Sequence, residues 1–157
     1  MMAPQRNLSA LNPAQLIRRR VPNWQASVVF DVGANIGQSA RSFAGLWPAA
    51  KIHSYEPVPA TFARLAETTR DMPNVTAHNL GLARTSGMAE MTDLAQSVQN
   101  RIVAPAEGLP TQTVQIQSGA AFCKTHGIKR ISYLKIDTEG HDLEVLKGFG
   151  GMFKRID

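Results

Sequence analysis

Residues 28–40 read VVFDVGANIGQSA, a run of strand-forming residues broken by one carboxylate, then two glycines, then a helical pattern. Val28 to Val32 is apolar except for Asp31, as expected of a strand covered on both faces in a parallel sheet. Downstream, Ile36, Ala40, Phe43, Ala44 and Trp47 make one helical stripe that Pro48 stops. The segment is a central strand, a tight turn and the first crossover helix.

The alternation continues. KIHSYEP (51–57) reads as a second strand, Pro59 opens a helix with Phe62, Leu65, Ala66 and Thr69 on one face, and NVTAHNL (74–80) is a third strand after the Pro73 turn. Strand, helix, strand, helix, strand implies right-handed crossovers and a doubly wound, mostly parallel α/β sheet. From Gly81 to Ser118 the pattern weakens: GMAEMTD (87–93) and TQTVQIQ (111–117) are candidate short strands, and APAEGLP (104–110) between them reads as loop. A helix around Ala120–His126 precedes RISYLKID (130–137), another buried strand ending in acid. HDLEVLKGFGG (141–151) then gives a helix with acids at its start, Lys147 late and Gly148 beyond its end, which completes a fourth βα unit. Upstream, NPAQLIRRR (12–20) carries Asn12 as a cap and Pro13 at the first helical position, a short helix read as an appendage. The expected division is a basic helical extension over 1–26 and one α/β domain over 27–157.

With 157 residues, 43% of them hydrophobic and 18% charged, the chain suits one globular domain with neither low-complexity tract nor repeat. Its net charge of +5 is local: Arg6, Arg18, Arg19 and Arg20 all precede the first acid, Asp31, and the remainder is nearly neutral. Such an arm could meet phosphates, but a solvated leader is the commoner origin of a short basic block. An acid-free, arginine-bearing start also resembles a transit segment, against which residues 14–20 read as an ordinary helix. Cys123 is the sole cysteine, which excludes an internal disulfide and a thiolate zinc site. No apolar run approaches the roughly 20 residues of a membrane helix, and no signal-peptide core is present, so a cytoplasmic setting without membrane contact is expected.

In a parallel sheet, ligands sit beyond the carboxyl ends of the strands where the strand order reverses, which directs attention to DVGANIG (31–37). Gly33 allows a sharp turn, Gly37 allows the helix to pack close, and the helix start is expected to aim free N–H groups outward. The dinucleotide fingerprint G-x-G-x-x-G is not met, because Asn35 replaces its middle glycine. Asp31, two residues before Gly33, suits a ligand with a cationic end such as S-adenosylmethionine, or else caps the turn. Glu56 ends the second strand beside Pro57, 19 positions after Gly37, where a carboxylate can accept both hydroxyls of an adenosine ribose. Asn79 ends the third strand and could meet the adenine edge or bridge a turn. In KIDTEGHD (135–142), Asp137, Glu139 and His141 could orient a hydroxyl, take its proton or hold a divalent ion. Of these Asp137 is expected to be buried at the strand end, while His141 and Asp142 could simply serve the helix N-terminus.

With these residues in place, the sequence resembles the FkbM family of S-adenosylmethionine-dependent methyltransferases, within the class I Rossmann-like superfamily. The resemblance runs from Val29 to about Gly150 and rests on VFDVGANIGQSA, SYEPVPATFARL, HNLGLARTSG and above all ISYLKIDTEGHDLEVLKG. It implies Gly33, Ala34, Asn35 and Gly37 around the methionine moiety of the cofactor, Glu56 on the ribose, Asn79 near adenine and Asp137 at the methyl-transfer region. The implied reaction is O-methylation of a hydroxyl on a sugar or secondary metabolite; no residue is assigned to a metal. Two departures stand out: SGAAF (118–122) puts Ala120 where such proteins carry an acid, and the strands that normally finish the sheet and pocket do not follow Asp157. A sheet edge left open there invites a second copy of the chain, a homodimer. Two other readings are an RNA methyltransferase, drawn from the basic arm but lacking an aromatic-rich base pocket, and a cofactor-binding remnant without activity. A nicotinamide enzyme is disfavoured by Asn35.

Overall fold

The computed structural model describes residues 13–92 and 111–157. Asn12, expected as a helix cap, and the loop read over 104–110 lie outside the described residues. The elements run α1 (Pro13–Arg20), β1 (Val28–Val32), α2 (Gln38–Leu46), β2 (Lys51–Tyr55), α3 (Pro59–Thr69), β3 (Val75–His78), β4 (Gly81–Ala83), β5 (Gly87–Thr92), β6 (Thr111–Ser118), α4 (Gly119–Thr125), β7 (Tyr133–Ile136) and α5 (Asp142–Phe149), then a 3-10 turn over Gly150–Arg155.

Four strands form a parallel sheet in the order β3-β2-β1-β7. The chain moves outward from β1 to β3 and returns to β7 on the other side of β1, so the order reverses between β1 and β7. Helices cover both faces, as the alternation along β1 requires. Val29 packs with Ala14, Phe43, Trp47 and Ile52 under α1 and α2, whereas Phe30 and Val32 pack with Phe122, Val145 and Phe149 under α4 and α5. The two weakly patterned segments are strands, but they belong to a separate small sheet of order β4-β6-β5, with β4 parallel and β5 antiparallel to β6. Its Val114 and Met91 bury against Val58.

Two readings are corrected. The α1 helix is not a free appendage: Ala14 is fully buried in the core with Trp47, Trp24 meets Trp47 edge to face at 5.6 Å, and Arg18 donates to the Leu46 carbonyl at 2.8 Å. Gly148, placed beyond the last helix by its sequence, lies inside α5. It is a packing glycine, since a Cβ there would fall 2.0 Å from the Ala83 carbonyl oxygen. Beyond the 3-10 turn, Ile156 makes a single parallel bridge to Ile131, alongside the start of β7. Among the described residues no helix is long and apolar enough to cross a membrane.

On the α4 face, His53 and His78 meet nitrogen to nitrogen at 3.1 Å, and burial holds each imidazole down to about 4. Both stay neutral in the fold while the unfolded chain takes up protons below the ordinary imidazole value of 6.5. Their stabilising contribution is present above that value and is lost as pH falls toward 4. Urea midpoints measured between pH 7 and 4.5 are therefore expected to decline, with a shallower decline for His78→Gln. A second expectation concerns packing: Gly148→Ala should destabilise the fold by about 1–3 kcal/mol through overpacking. Gly45→Ala, on an open part of α2 with nothing within 4 Å of its Cβ, should stabilise it by about 0.5–1 kcal/mol in the same denaturation experiment.

Candidate active site

A cleft with about 750 Å³ of free space, mouth included, opens at the carboxyl ends of β1, β2 and β7. This is the reversal point of the strand order, where ligands of such sheets lie. Its walls come from the β1–α2 loop (Gly33, Asn35), the β2–α3 loop (Glu56, Pro57), the β7–α5 loop (Asp137, Thr138, Glu139, His141) and the small sheet (Leu82, Met91).

The β1–α2 loop is held by its own N–H groups. Those of Gly33 and Ala34 donate to the Tyr55 carbonyl at 3.2 and 3.0 Å, that of Asn35 to Glu56 Oε2 at 3.2 Å, and that of Gly37 to the Ala34 carbonyl at 2.9 Å. The N–H groups of Gly33, Ala34, Asn35 and Gly37 are thus taken by β2 and by the loop itself. Its conformation explains its letters. Gly33 and Gly37 have φ of 74° and 97°, and Asn35, at φ 50°, is the residue type that tolerates this region best after glycine. A Cβ on Gly33 would fall 2.0 Å from the Asp137 carbonyl oxygen, so the two loops touch only because that Cβ is absent.

Glu56, 7% exposed, accepts from Asn35 N with one oxygen and from Val58 N, at 3.0 Å, with the other. Burial pushes its carboxyl up, against the pull of these two N–H groups and of the Lys135 ammonium. Each oxygen keeps a further lone pair for a ligand hydroxyl. Asn79 does not reach the cleft; its Nδ2 donates to the Glu56 and Pro57 carbonyls at 3.0 and 2.9 Å and so braces the β2–α3 turn.

Asp31 is also behind the wall. Fully buried, it accepts from Ser39 Oγ at 2.7 Å and pairs with Lys135 Nζ at 3.2 Å. Burial raises its carboxyl, and Lys135 and then Ser39 lower it. Ala34 and Gly37 likewise face the interior: Ala34 packs with Ala40 and Leu65, and a Gly37 Cβ would crowd Thr68 and Leu65 of α3. On the opposite rim Asp137 is not buried as expected; its side chain is 68% exposed, because it follows the last paired residue of β7 and leaves the sheet. Glu139, at φ 51°, and His141 stand beside it. Among the described residues no three His, Cys, Asp or Glu side chains are placed to hold a metal ion.

Two further residues of the KIDTEGHD segment organise this rim. Lys135 Nζ donates to the Gly33 carbonyl at 2.7 Å, and Asp142 Oδ1 accepts from Thr138 N at 2.9 Å and from Thr138 Oγ1. These Thr138 hydrogen bonds hold the Asp142 carboxyl below its usual value. Lys135 was inside the quoted KIDTEGHD segment, but its partners became visible only with β7 beside β1; Asp142 was signalled by its place at a helix start.

An open α/β sheet of order 3-2-1 with a returning fourth strand, and a glycine turn facing an acidic β2 terminus, define a Rossmann-like fold. In keeping with this, the fold aligns with the precorrin-6y C5,15-methyltransferase structure from Geobacter metallireducens at a TM-score of 0.50 and 13% identity, over 92% of this chain and 55% of that one. Residues 31–157 match the methyltransferase FkbM domain family, and the chain belongs to it. Among curated relatives, the hexuronic acid methyltransferase AglP of Haloferax volcanii is 30% identical over 131 residues, covering 83% of this chain and 53% of that protein. Methyltransferase 1 of Beauveria bassiana is 27% identical, covering 78% and 58%. The chain spans about half the length of these relatives.

Asp142→Ala should cost about 1 kcal/mol of stability at neutral pH by freeing Thr138. Because the folded carboxyl titrates below its unfolded value, the cost is present above pH 4 and vanishes as acid protonates both states. Chemical denaturation of both proteins at pH 7 and pH 3 checks this.

Proposed function

We propose that the chain is the cofactor-binding and proton-removing part of an S-adenosylmethionine-dependent O-methyltransferase acting on a hydroxyl of a small molecule or glycan. The observation that carries this reading is the cleft with buried Glu56 on one wall and Asp137, Glu139 and His141 on the other.

The residues fit the cofactor. Glu56 keeps acceptor capacity for a vicinal diol, and Gly81, Leu82 and Met91 offer a thin apolar wall for a flat base. The cleft wall carries carboxylates and neither lysine nor arginine among its described residues, the nearby Lys135 ammonium being paired with Asp31, which suits a ligand bearing ammonium and sulfonium charge. The N–H groups of Gly33, Ala34 and Asn35 are bonded to β2 and are not offered to a pyrophosphate.

When bound, the cofactor supplies a methyl group on a sulfonium, so the protein contributes placement and removal of the acceptor's proton. Asp137, Glu139 and His141 are the groups positioned to take that proton. The sugar-acid methyltransferase among the relatives supports a glycan hydroxyl as the acceptor class.

Calorimetry should detect S-adenosylmethionine and S-adenosylhomocysteine but not NAD, and Glu56→Gln should weaken both about 10- to 100-fold, as loss of charge-assisted hydrogen bonds predicts. Tight NAD binding, or unchanged affinity in the variant, would overturn the reading. Transfer of a labelled methyl group to a panel of glycans and hydroxylated metabolites tests the acceptor class.

A further inference from the structure

The mechanism sketched above leaves one buried charge pair without a task. Asp31 and Lys135 are direct register partners across β1 and β7, and Lys135 Nζ stands 3.2 Å from Asp31 Oδ1, 2.7 Å from the Gly33 carbonyl and 3.6 Å from Asp137 Oδ2. An ammonium has three N–H donors, and three acceptor groups surround this one.

We propose that Lys135 is a positioning residue of the cofactor cleft, joining the glycine loop to the proton-accepting rim, and that Asp31 acts as its counter-charge instead of as a ligand of the cofactor. The proposal rests on the methyltransferase reading. Three observations carry it. Asp31 is fully buried, absent from the cleft wall and accepts a hydrogen bond from Ser39 of α2. Lys135 is the group that touches both sides of the reversal point, at Gly33 on one loop and Asp137 on the other. Asp137 is otherwise exposed, and the ammonium is its ion-pair partner.

The pairing also has an electrostatic consequence. A bare lysine beneath a cleft for a sulfonium would repel it; with Asp31 alongside, the pair adds no net charge there. Replacing Asp31 with Asn leaves that ammonium uncompensated. The loss should then be larger for S-adenosylmethionine, which carries the sulfonium, than for S-adenosylhomocysteine, which lacks it.

The test uses the whole chain as wild type, Lys135→Arg, Lys135→Met, Asp31→Asn and the double variant Asp31→Asn/Lys135→Met. Three quantities are read: denaturation midpoint, hydrogen exchange of residues 33–37 without ligand, and calorimetric affinity for the two compounds. Lys135→Met is expected to speed exchange in the loop and weaken S-adenosylhomocysteine binding at least about tenfold. The double variant should recover stability, because no charge is left buried alone, yet keep the fast loop and the weak binding. Lys135→Arg, which retains the charge and the donors, should restore most of the affinity. Asp31→Asn should lower the affinity ratio of S-adenosylmethionine to S-adenosylhomocysteine.

Recovery of loop protection and affinity together with stability in the double variant would make the pair merely structural and overturn the proposal. Wild-type binding with unaltered binding by Lys135→Met sinks this proposal alone, whereas absence of binding by the wild type sinks the methyltransferase reading with it. Should Lys135→Met fail to fold, the double variant and Lys135→Arg decide.

Discussion

The contact between Asp31 and Lys135 joins strands that are neighbours in the sheet but separated by 104 positions in the chain, and the cleft is built around it. A carboxylate at the carboxyl end of a central strand is expensive to bury; removing its partner typically costs about 3–5 kcal/mol because the charge is stranded. The pair therefore demands that β7 lie beside β1 in one register. A slip of one residue would turn Lys135 to the α4 and α5 face, among Phe30, Phe122 and Phe149. Registry at the reversal point is thus specified by charge, while the remainder of the sheet is specified by apolar alternation.

From that registry the site follows. With β7 held beside β1, the Asp137 carbonyl comes against Gly33, and the absent Cβ becomes a requirement. On the other side the same loop is fixed by Tyr55 and Glu56, whose acceptors take the N–H groups of Gly33, Ala34 and Asn35. The glycine loop is consequently clamped between β2 and β7, and Glu56, Asp137, Glu139 and His141 are left lining the cleft. Asn79 and Asp142 act one layer further out, bracing the β2–α3 turn and the β7–α5 turn.

Local features of this architecture were legible in the sequence and non-local ones were not. The β1, α2, β2, α3 and β3 succession could be read because hydrophobic period, proline and glycine each act within a few residues. Glu56 could be placed for the same reason, since its distance from the glycine turn is a local measure. The partner of Asp31 could not, because nothing near residue 31 reveals which strand lies alongside. Asp137 was misjudged by the same blindness: a residue after an apolar run looks buried, yet it falls one step past the last pairing and turns outward. Gly148 reads as a helix stop in isolation and becomes a packing glycine once Ala83 is brought against it, which depends on the small sheet whose pattern was weakest.

The position of Glu56 shows how binding and architecture share one group. Its burial raises the carboxyl, so keeping it ionised needs the N–H groups of Asn35 and Val58 and the nearby Lys135 ammonium. Those N–H groups belong to the two loops that frame the cleft, and the carboxylate is therefore the latch between them. A ligand diol that binds the remaining lone pairs competes with neither N–H, and it adds donors to an acceptor that burial has left short of solvent. Occupation of the cleft and closure of the two loops should accordingly reinforce each other. Asn35 tolerates its positive φ better than other residues with a side chain, so the middle position of the turn can dispense with glycine and still give its N–H to Glu56.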